Sequence, residues 1–118
     1  MTTPTITADE LLEKLDRDDD FVLVDALAPM IYAHSHLPTA INMPPAGVDA
    51  TRCAKRIPDL DTEIVVYCAN PDCDDSVDTA QRLEALGYTN VLHYPGGKDE
   101  WRARGLMLER AGRPYTPD

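Results

Sequence analysis

Ile64-Val65-Val66-Tyr67-Cys68, followed by Ala-Asn-Pro-Asp-Cys73-Asp-Asp-Ser76, is an apolar run that ends on a cysteine and opens into a polar loop. From Ser76 to Leu86 the pattern turns helical, with Val77, Ala80, Leu83 and Leu86 on one side and Gly87 placed to close the helix. The stretch predicts a buried strand over 64–67, a loop after it and a helix over 76–86. A thiol at such a strand end meets converging backbone N–H groups and the positive end of a helix dipole, both of which favour the thiolate. The same loop carries Asp72, Asp74 and Asp75 and no lysine or arginine.

The flanking sequence repeats the alternation of strand and helix. Thr7-Ala-Asp-Glu10 is a capping box, and Leu11, Leu12 and Leu15 give the helix it starts an apolar stripe. Phe21–Val24 is a continuous apolar run, as in strands buried on both faces, and it ends at Asp25. A helix is expected over 29–38, stopped near Pro38, then a short strand over 40–43 halted by Pro44-Pro45, and a helix over 49–57 ended by Pro58. Val91–Tyr94 is a further strand, and Gly96-Gly97 opens a last helix that contains Trp101 and stops at Gly105. Residues 109–118 are expected to form a flexible tail, frayed from Arg113 onward.

Short links between strands and helices imply parallel βαβ units. The expected fold is α/β, a central, mostly parallel sheet of about five strands with helices on both faces. One domain covers 1–118, with its core over about 7–108. Ligands of such sheets bind at the carboxyl ends of strands, which places Asp25, Cys68 and Pro95-Gly96-Gly97 on one rim.

The chain has 118 residues, 43% of them hydrophobic, enough for one core. With 11 basic and 21 acidic side chains the formal charge is −10, which excludes nucleic-acid backbones and anionic membranes as partners. The acidity serves solubility or a basic protein partner. No apolar run is long enough to span a membrane, and Met-Thr-Thr-Pro-Thr lacks the character of a signal peptide, so a cytoplasmic location is expected. There Cys53, Cys68 and Cys73 stay thiols. Cys-x4-Cys without a second ligand pair lacks zinc spacing, and neither a metal nor a cofactor is expected.

Four segments, in order, resemble the rhodanese-like (sulfurtransferase) domain family, with a likeness running from about Thr7 to Leu108. Val22-Leu-Val-Asp25 is similar to the family's strand ending in Asp. Tyr32 with His36-Leu-Pro-Thr-Ala-Ile-Asn42 is similar to its Tyr and Gly-His-Ile-Pro-Gly-Ala-Ile-Asn segment. Val65-Val-Tyr-Cys68 is similar to its cysteine-bearing strand, and Tyr94-Pro-Gly-Gly97 with Trp101 to its Gly-Gly-x-x-x-Trp. The resemblance implies that Cys68 takes a sulfane sulfur from a small-molecule or protein donor, holds it as a persulfide and passes it to an acceptor. It also implies a backbone cradle for the sulfur from the loop of Ala69, Asn70, Pro71, Asp72, Cys73, Asp74, Asp75 and Ser76, with Asp25, His36, Gly96 and Gly97 in support.

The chain departs from the family pattern in three places. Active members commonly read Cys-x-x-x-x-Arg and then Ser or Thr, whereas the fifth position after Cys68 is Cys73 and the hydroxyl, Ser76, comes later. Acidic side chains replace the cation expected to bind thiosulfate, and two like charges about 4–8 Å apart repel by roughly 2–4 kcal/mol at an effective dielectric near 20. The family's Asp-x-Arg reads Asp25-Ala-Leu27, which removes a supporting ion pair. A cysteine phosphatase needs Cys-x5-Arg, and Asp74 at that position excludes it.

Three functions follow for the loop. The first is sulfur transfer through Cys68, with a persulfide rather than thiosulfate as best donor. The second is a dithiol–disulfide couple of Cys68 with Cys73, which is otherwise a spectator. The third is a non-catalytic interaction module with an acidic rim. Asp74 and Asp75 are expected to cap the helix, Asn70 to take the left-handed conformation, and His36 to hold backbone carbonyls or pack. His34 and His93 read as surface or sheet residues, Tyr94 and Trp101 as core, and Cys53 as a buried helix residue.

Overall fold

A computed structural model describes residues 3–115. The elements are α1 (Ala8–Asp16), β1 (Val22–Asp25), α2 (Pro29–His34), β2 (Ile41–Asn42), a 3-10 turn (Pro45–Gly47), α3 (Ala50–Arg56), β3 (Ile64–Tyr67), α4 (Asp75–Ala85), β4 (Val91–Tyr94), α5 (Gly97–Ala103), β5 (Leu108–Arg110) and β6 (Arg113–Tyr115). The capping box forms as the sequence predicts: Thr7 Oγ1 accepts from Glu10 N–H at 3.1 Å, and the Glu10 carboxylate accepts from Thr7 N–H at 3.0 Å.

β1 to β4 make one parallel sheet in the order β2-β1-β3-β4. Val24 lies opposite Val66 and Val66 opposite His93, while Asp25, Tyr67 and Tyr94 form the next row. Successive side chains point to opposite faces. Leu23, Val65 and Tyr67 therefore pack with Leu11, Leu37, Trp101 and Leu108 on one face. Val24, Ile64, Val66 and Cys68 pack with Met43, Cys53, Ala80 and Leu83 on the other. Burial on both faces is why β3 reads as an unbroken apolar run, and each large side chain so buried contributes about 1.5–3 kcal/mol. From β1 the chain moves outward to β2, and from β3 it moves the other way to β4. The strand order thus reverses between β1 and β3, which opens a crevice at their carboxyl ends.

Three expectations need correction. The main sheet has four strands rather than about five. The place beside β4 holds a single parallel bridge between Thr5 and His93, because Pro4 has no N–H to donate and Thr7 already starts α1. α2 stops at His34, short of Pro38, because Ser35 is extended and His36 forms an antiparallel bridge with Glu109. In place of a flexible tail from 109, β5 and β6 form an antiparallel hairpin. Its two-residue turn, Ala111-Gly112, has φ of 53° and 76°, the double positive φ that suits a tight hairpin, and Leu108 anchors it in the core. Residues 116–118 of the expected tail lie outside the described residues.

Candidate active site

Cys68 follows β3 directly and is 2% exposed. Its Sγ lies 3.0 Å from Ser76 Oγ and donates to the Cys73 carbonyl oxygen at 3.2 Å. Burial pushes the Cys68 thiol up to about 11, a hydrogen bond with the Cys73 thiol adds to this, and hydrogen bonding with Ser76 opposes it. The expectation that amides and helix dipole favour the thiolate is therefore reversed: desolvation of a nearly inaccessible sulfur outweighs them. The loop aspartates are not among the causes; all three are exposed, where water screens them.

Asn70 organises the loop. Its Oδ1 accepts from Asp72 N–H at 3.0 Å, its carbonyl accepts from Cys73 N–H at 3.0 Å, and its Nδ2 donates to Asp99 Oδ2 at 3.2 Å. Two amides of the expected 69–76 cradle are thus engaged within the loop, Pro71 has none, and a carbonyl rather than an amide caps the sulfur from Cys73. Asn70 does not adopt the left-handed conformation; Asp18, Thr39 and Ala111 are the non-glycine residues at positive φ among those described. An Asx-type turn gives Asn70 its bonds without that conformation. Asp74 occupies the N-cap position of α4 but is helical (φ −92°, ψ −7°) and its side chain makes no cap hydrogen bond. A capping side chain needs extended backbone at that residue, so the expected cap is absent; Asp75 lies in the first turn, where its charge suits the dipole.

Beneath the loop, Asp25 is fully buried at the end of β1. Its Oδ1 accepts from Leu27 N–H at 2.8 Å and its Oδ2 from the Tyr67 hydroxyl at 2.6 Å, and that hydroxyl accepts from Leu37 N–H at 3.0 Å. Burial raises the Asp25 carboxyl above the usual range, opposed by those two hydrogen bonds and by the charge of Lys98. Lys98 is itself 4% exposed, with its Nζ 3.4 Å from the Ile31 carbonyl, and burial lowers its pKa while Asp25 holds it up. Lys98 of α5 thus acts on Asp25 through its charge, without the direct ion pair that an arginine at position 27 would make. Only the position of Lys98 directly after Gly96-Gly97 hints at this in the sequence.

Gly97 has φ of 69°, and a Cβ there would lie 2.7 Å from the Cys68 carbonyl oxygen and from Ala69 C and O. That close approach lets Lys98 N–H reach the Cys68 carbonyl at 2.9 Å and Asp99 N–H reach the Ala69 carbonyl at 2.8 Å. Gly96 is less constrained, with ordinary helical backbone and the side chains of Glu100 and Tyr94 nearest. Asp25, Cys68 and Gly97 share one rim, with Cys73 beside Cys68. His36 lies apart: its Nδ1 is 3.1 Å from the Tyr32 carbonyl, and its ring stacks on Tyr32 with centroids 4.2 Å apart.

His93 is the site residue that the sequence does not reveal. Its Nε2 is 2.8 Å from Ser76 Oγ, so Cys68, Ser76 and His93 form a line of polar contacts. Register alone could have pointed to it, since His93 lies opposite Val66 and so faces the same side as Cys68.

A cysteine-bearing loop at the switch point of a small parallel sheet defines an α/β domain with the buried Cys68 thiol at that point. The model of the family described as rhodanese-like domain matches residues 7–104, and the chain belongs to that family. An uncharacterized protein of Synechocystis sp. is 25% identical over 105 residues, which are 88% of this chain and 55% of that protein, so the chain spans about half the length of this curated relative. Among solved structures, a Bacillus halodurans protein superposes with a TM-score of 0.85 at 23% identity, over 98% of this chain and 82% of the other. A thiosulfate sulfurtransferase from Pseudomonas aeruginosa gives a TM-score of 0.78 at 27% identity, over 98% of this chain and 22% of that one. A human single-domain sulfurtransferase gives 0.72 at 23% identity, over 86% and 97%.

Proposed function

We propose that this chain is a sulfurtransferase that carries a sulfane sulfur as a persulfide on Cys68. The observation that supports this most directly is the placement of Cys68 Sγ at the strand end, between Ser76 and the Cys73 carbonyl. Two of its structural neighbours are named sulfurtransferases. Cys68 loses its proton and attacks the outer sulfur of a donor persulfide, so that the Sγ–S bond forms and the donor leaves as a thiolate. An acceptor nucleophile then takes the outer sulfur, and Cys68 leaves as the thiolate and is reprotonated. Thiosulfate is the poorer donor, because the loop offers Cys73 and exposed acid where a cation would hold a sulfonate. Incubation with a persulfide donor and intact-mass measurement test the proposal. One added sulfur that Cys68→Ser abolishes is expected; no added sulfur from any donor leaves the domain a non-catalytic module with an acidic rim.

The position of Cys73 in the same loop, with its backbone carbonyl 3.2 Å from Cys68 Sγ, supports a second step at the same site. The Cys73 thiol attacks the inner sulfur of the Cys68 persulfide, forming a Cys68–Cys73 disulfide and releasing hydrogen sulfide. Cys73→Ala is then expected to lengthen the lifetime of the persulfide and to remove the disulfide; unchanged decay rules the step out.

A further inference from the structure

We propose that His93 is a positioning residue for Cys68, relaying the thiol proton through the Ser76 hydroxyl. The inference rests on Cys68 being the nucleophile of the site, but not on which group it attacks.

The three groups come from three elements: Cys68 from the end of β3, Ser76 from the first turn of α4 and His93 from β4. Sγ to Oγ is 3.0 Å and Oγ to Nε2 is 2.8 Å, each at hydrogen-bond distance. Ser76 is fully buried and Cys68 nearly so, which leaves the half-buried imidazole as the member of the line nearest to water. A hydroxyl carries one proton. When the Cys68 S–H turns from the Cys73 carbonyl to Ser76 Oγ, the hydroxyl accepts from the thiol while donating to Nε2, with the imidazole proton on Nδ1.

A buried thiol that stays protonated at neutral pH needs an acceptor for its proton when it attacks. The Cys73 carbonyl cannot become protonated, and the loop holds no basic side chain. Burial lowers the pKa of His93, with no charged group contributing, so the ring is neutral and able to accept at neutral pH. Ser76 meets the ring from the α4 side, while the His93 backbone pairs with the backbone of Pro4 and Ile6 along the outer edge. In the forward direction Sγ–H passes to Ser76 Oγ as the Ser76 proton passes to Nε2, so thiolate and imidazolium form and the hydroxyl is restored. When the acceptor removes the outer sulfur, the same line runs backward and returns a proton to the departing Sγ. No oxidant or further reactant is involved.

The test is the second-order rate of Cys68 alkylation by iodoacetamide between pH 5 and 9 on the full chain, with fragment-ion localisation to separate Cys68 from Cys73. His93→Gln keeps a partner for Ser76 but cannot take up a proton. In the unsubstituted chain the rate is expected to fall as pH drops through the His93 pKa, read independently by NMR titration of the imidazole. His93→Gln is expected to lose that inflection and to react about 100-fold more slowly at pH 7.5, within the range of general acid–base effects. Ser76→Ala should give the same profile, and the double variant should be no slower than either single one, as for groups acting in one line. Trp101 fluorescence during urea unfolding checks that each variant is folded. A His93→Gln profile that keeps the inflection and stays within about twofold of the parent overturns the proposal. Alkylation requires no sulfur donor, so failure of persulfide loading with an intact pH profile sinks the sulfur-transfer function and leaves the relay standing.

Discussion

Tyr67→Phe deletes one oxygen from a closed, buried hydrogen-bond circuit beneath the candidate site. The Tyr67 hydroxyl donates to Asp25 Oδ2 at 2.6 Å and accepts from Leu37 N–H at 3.0 Å, and all three residues are fully buried. In the variant the Leu37 amide loses its partner, and Asp25 keeps only the Leu27 amide at 2.8 Å. A buried polar group left unpaired costs about 1–3 kcal/mol, so the two together cost about 2–6 kcal/mol. That is a large share of the roughly 5–15 kcal/mol that holds a domain folded. At a urea dependence of about 1–3 kcal/mol per molar, the unfolding midpoint should fall by about 1–3 M. The only tryptophan, Trp101, is 1% exposed, so its fluorescence follows the transition without labelling. Tyr94→Phe is the comparison. Its hydroxyl donates to the exposed Glu100 carboxylate at 2.6 Å, which water can resolvate, and its loss should cost under about 1 kcal/mol. If Tyr67→Phe lies within about 0.5 kcal/mol of the parent, or costs no more than Tyr94→Phe, the circuit does not support the fold as described.

Gly97→Ala should destabilise by about 2–5 kcal/mol, from the left-handed backbone and the overlap with the Cys68 and Ala69 carbonyls. Gly96→Ala meets movable side chains and should cost clearly less; equal urea midpoints for the two variants would contradict the close approach at Gly97. The raised pKa of Asp25 also sets a pH dependence. Between the unfolded value, near 3.9, and the raised folded one, the folded chain holds a proton that the unfolded chain has released, so stability falls as pH rises through that window. Subtracting the urea-midpoint profile of Asp25→Asn isolates this slope from the constant effect of the amide, and a flat difference would count against burial as the dominant influence on Asp25.

The sequence by itself determined the elements whose signals are local. The capping box at Thr7 and Glu10 and the apolar run into Cys68 need only neighbouring residues to be understood, and each reappears in the structure. The ordered motifs at Asp25, His36, Cys68 and Gly96-Gly97 carried the family and the fold with them. Signals that depend on residues far apart were not legible. Lys98 and Asp25 are separated by most of the sheet's connectivity, so nothing local shows that the charge of a buried lysine on α5 acts on Asp25. The hairpin at 108–115 depends on a bridge from Glu109 to His36 and on Leu108 entering the core, and its sequence alone resembles a loose tail. His93 acquires its partner only through strand register, which places it on the α4 face beside Ser76. The same holds for the state of Cys68. The sequence supplied a thiol at a helix start, where dipole and amides favour the anion. Tertiary packing decided the outcome, because the cost of taking the sulfur out of water outweighs what Ser76 contributes in the other direction.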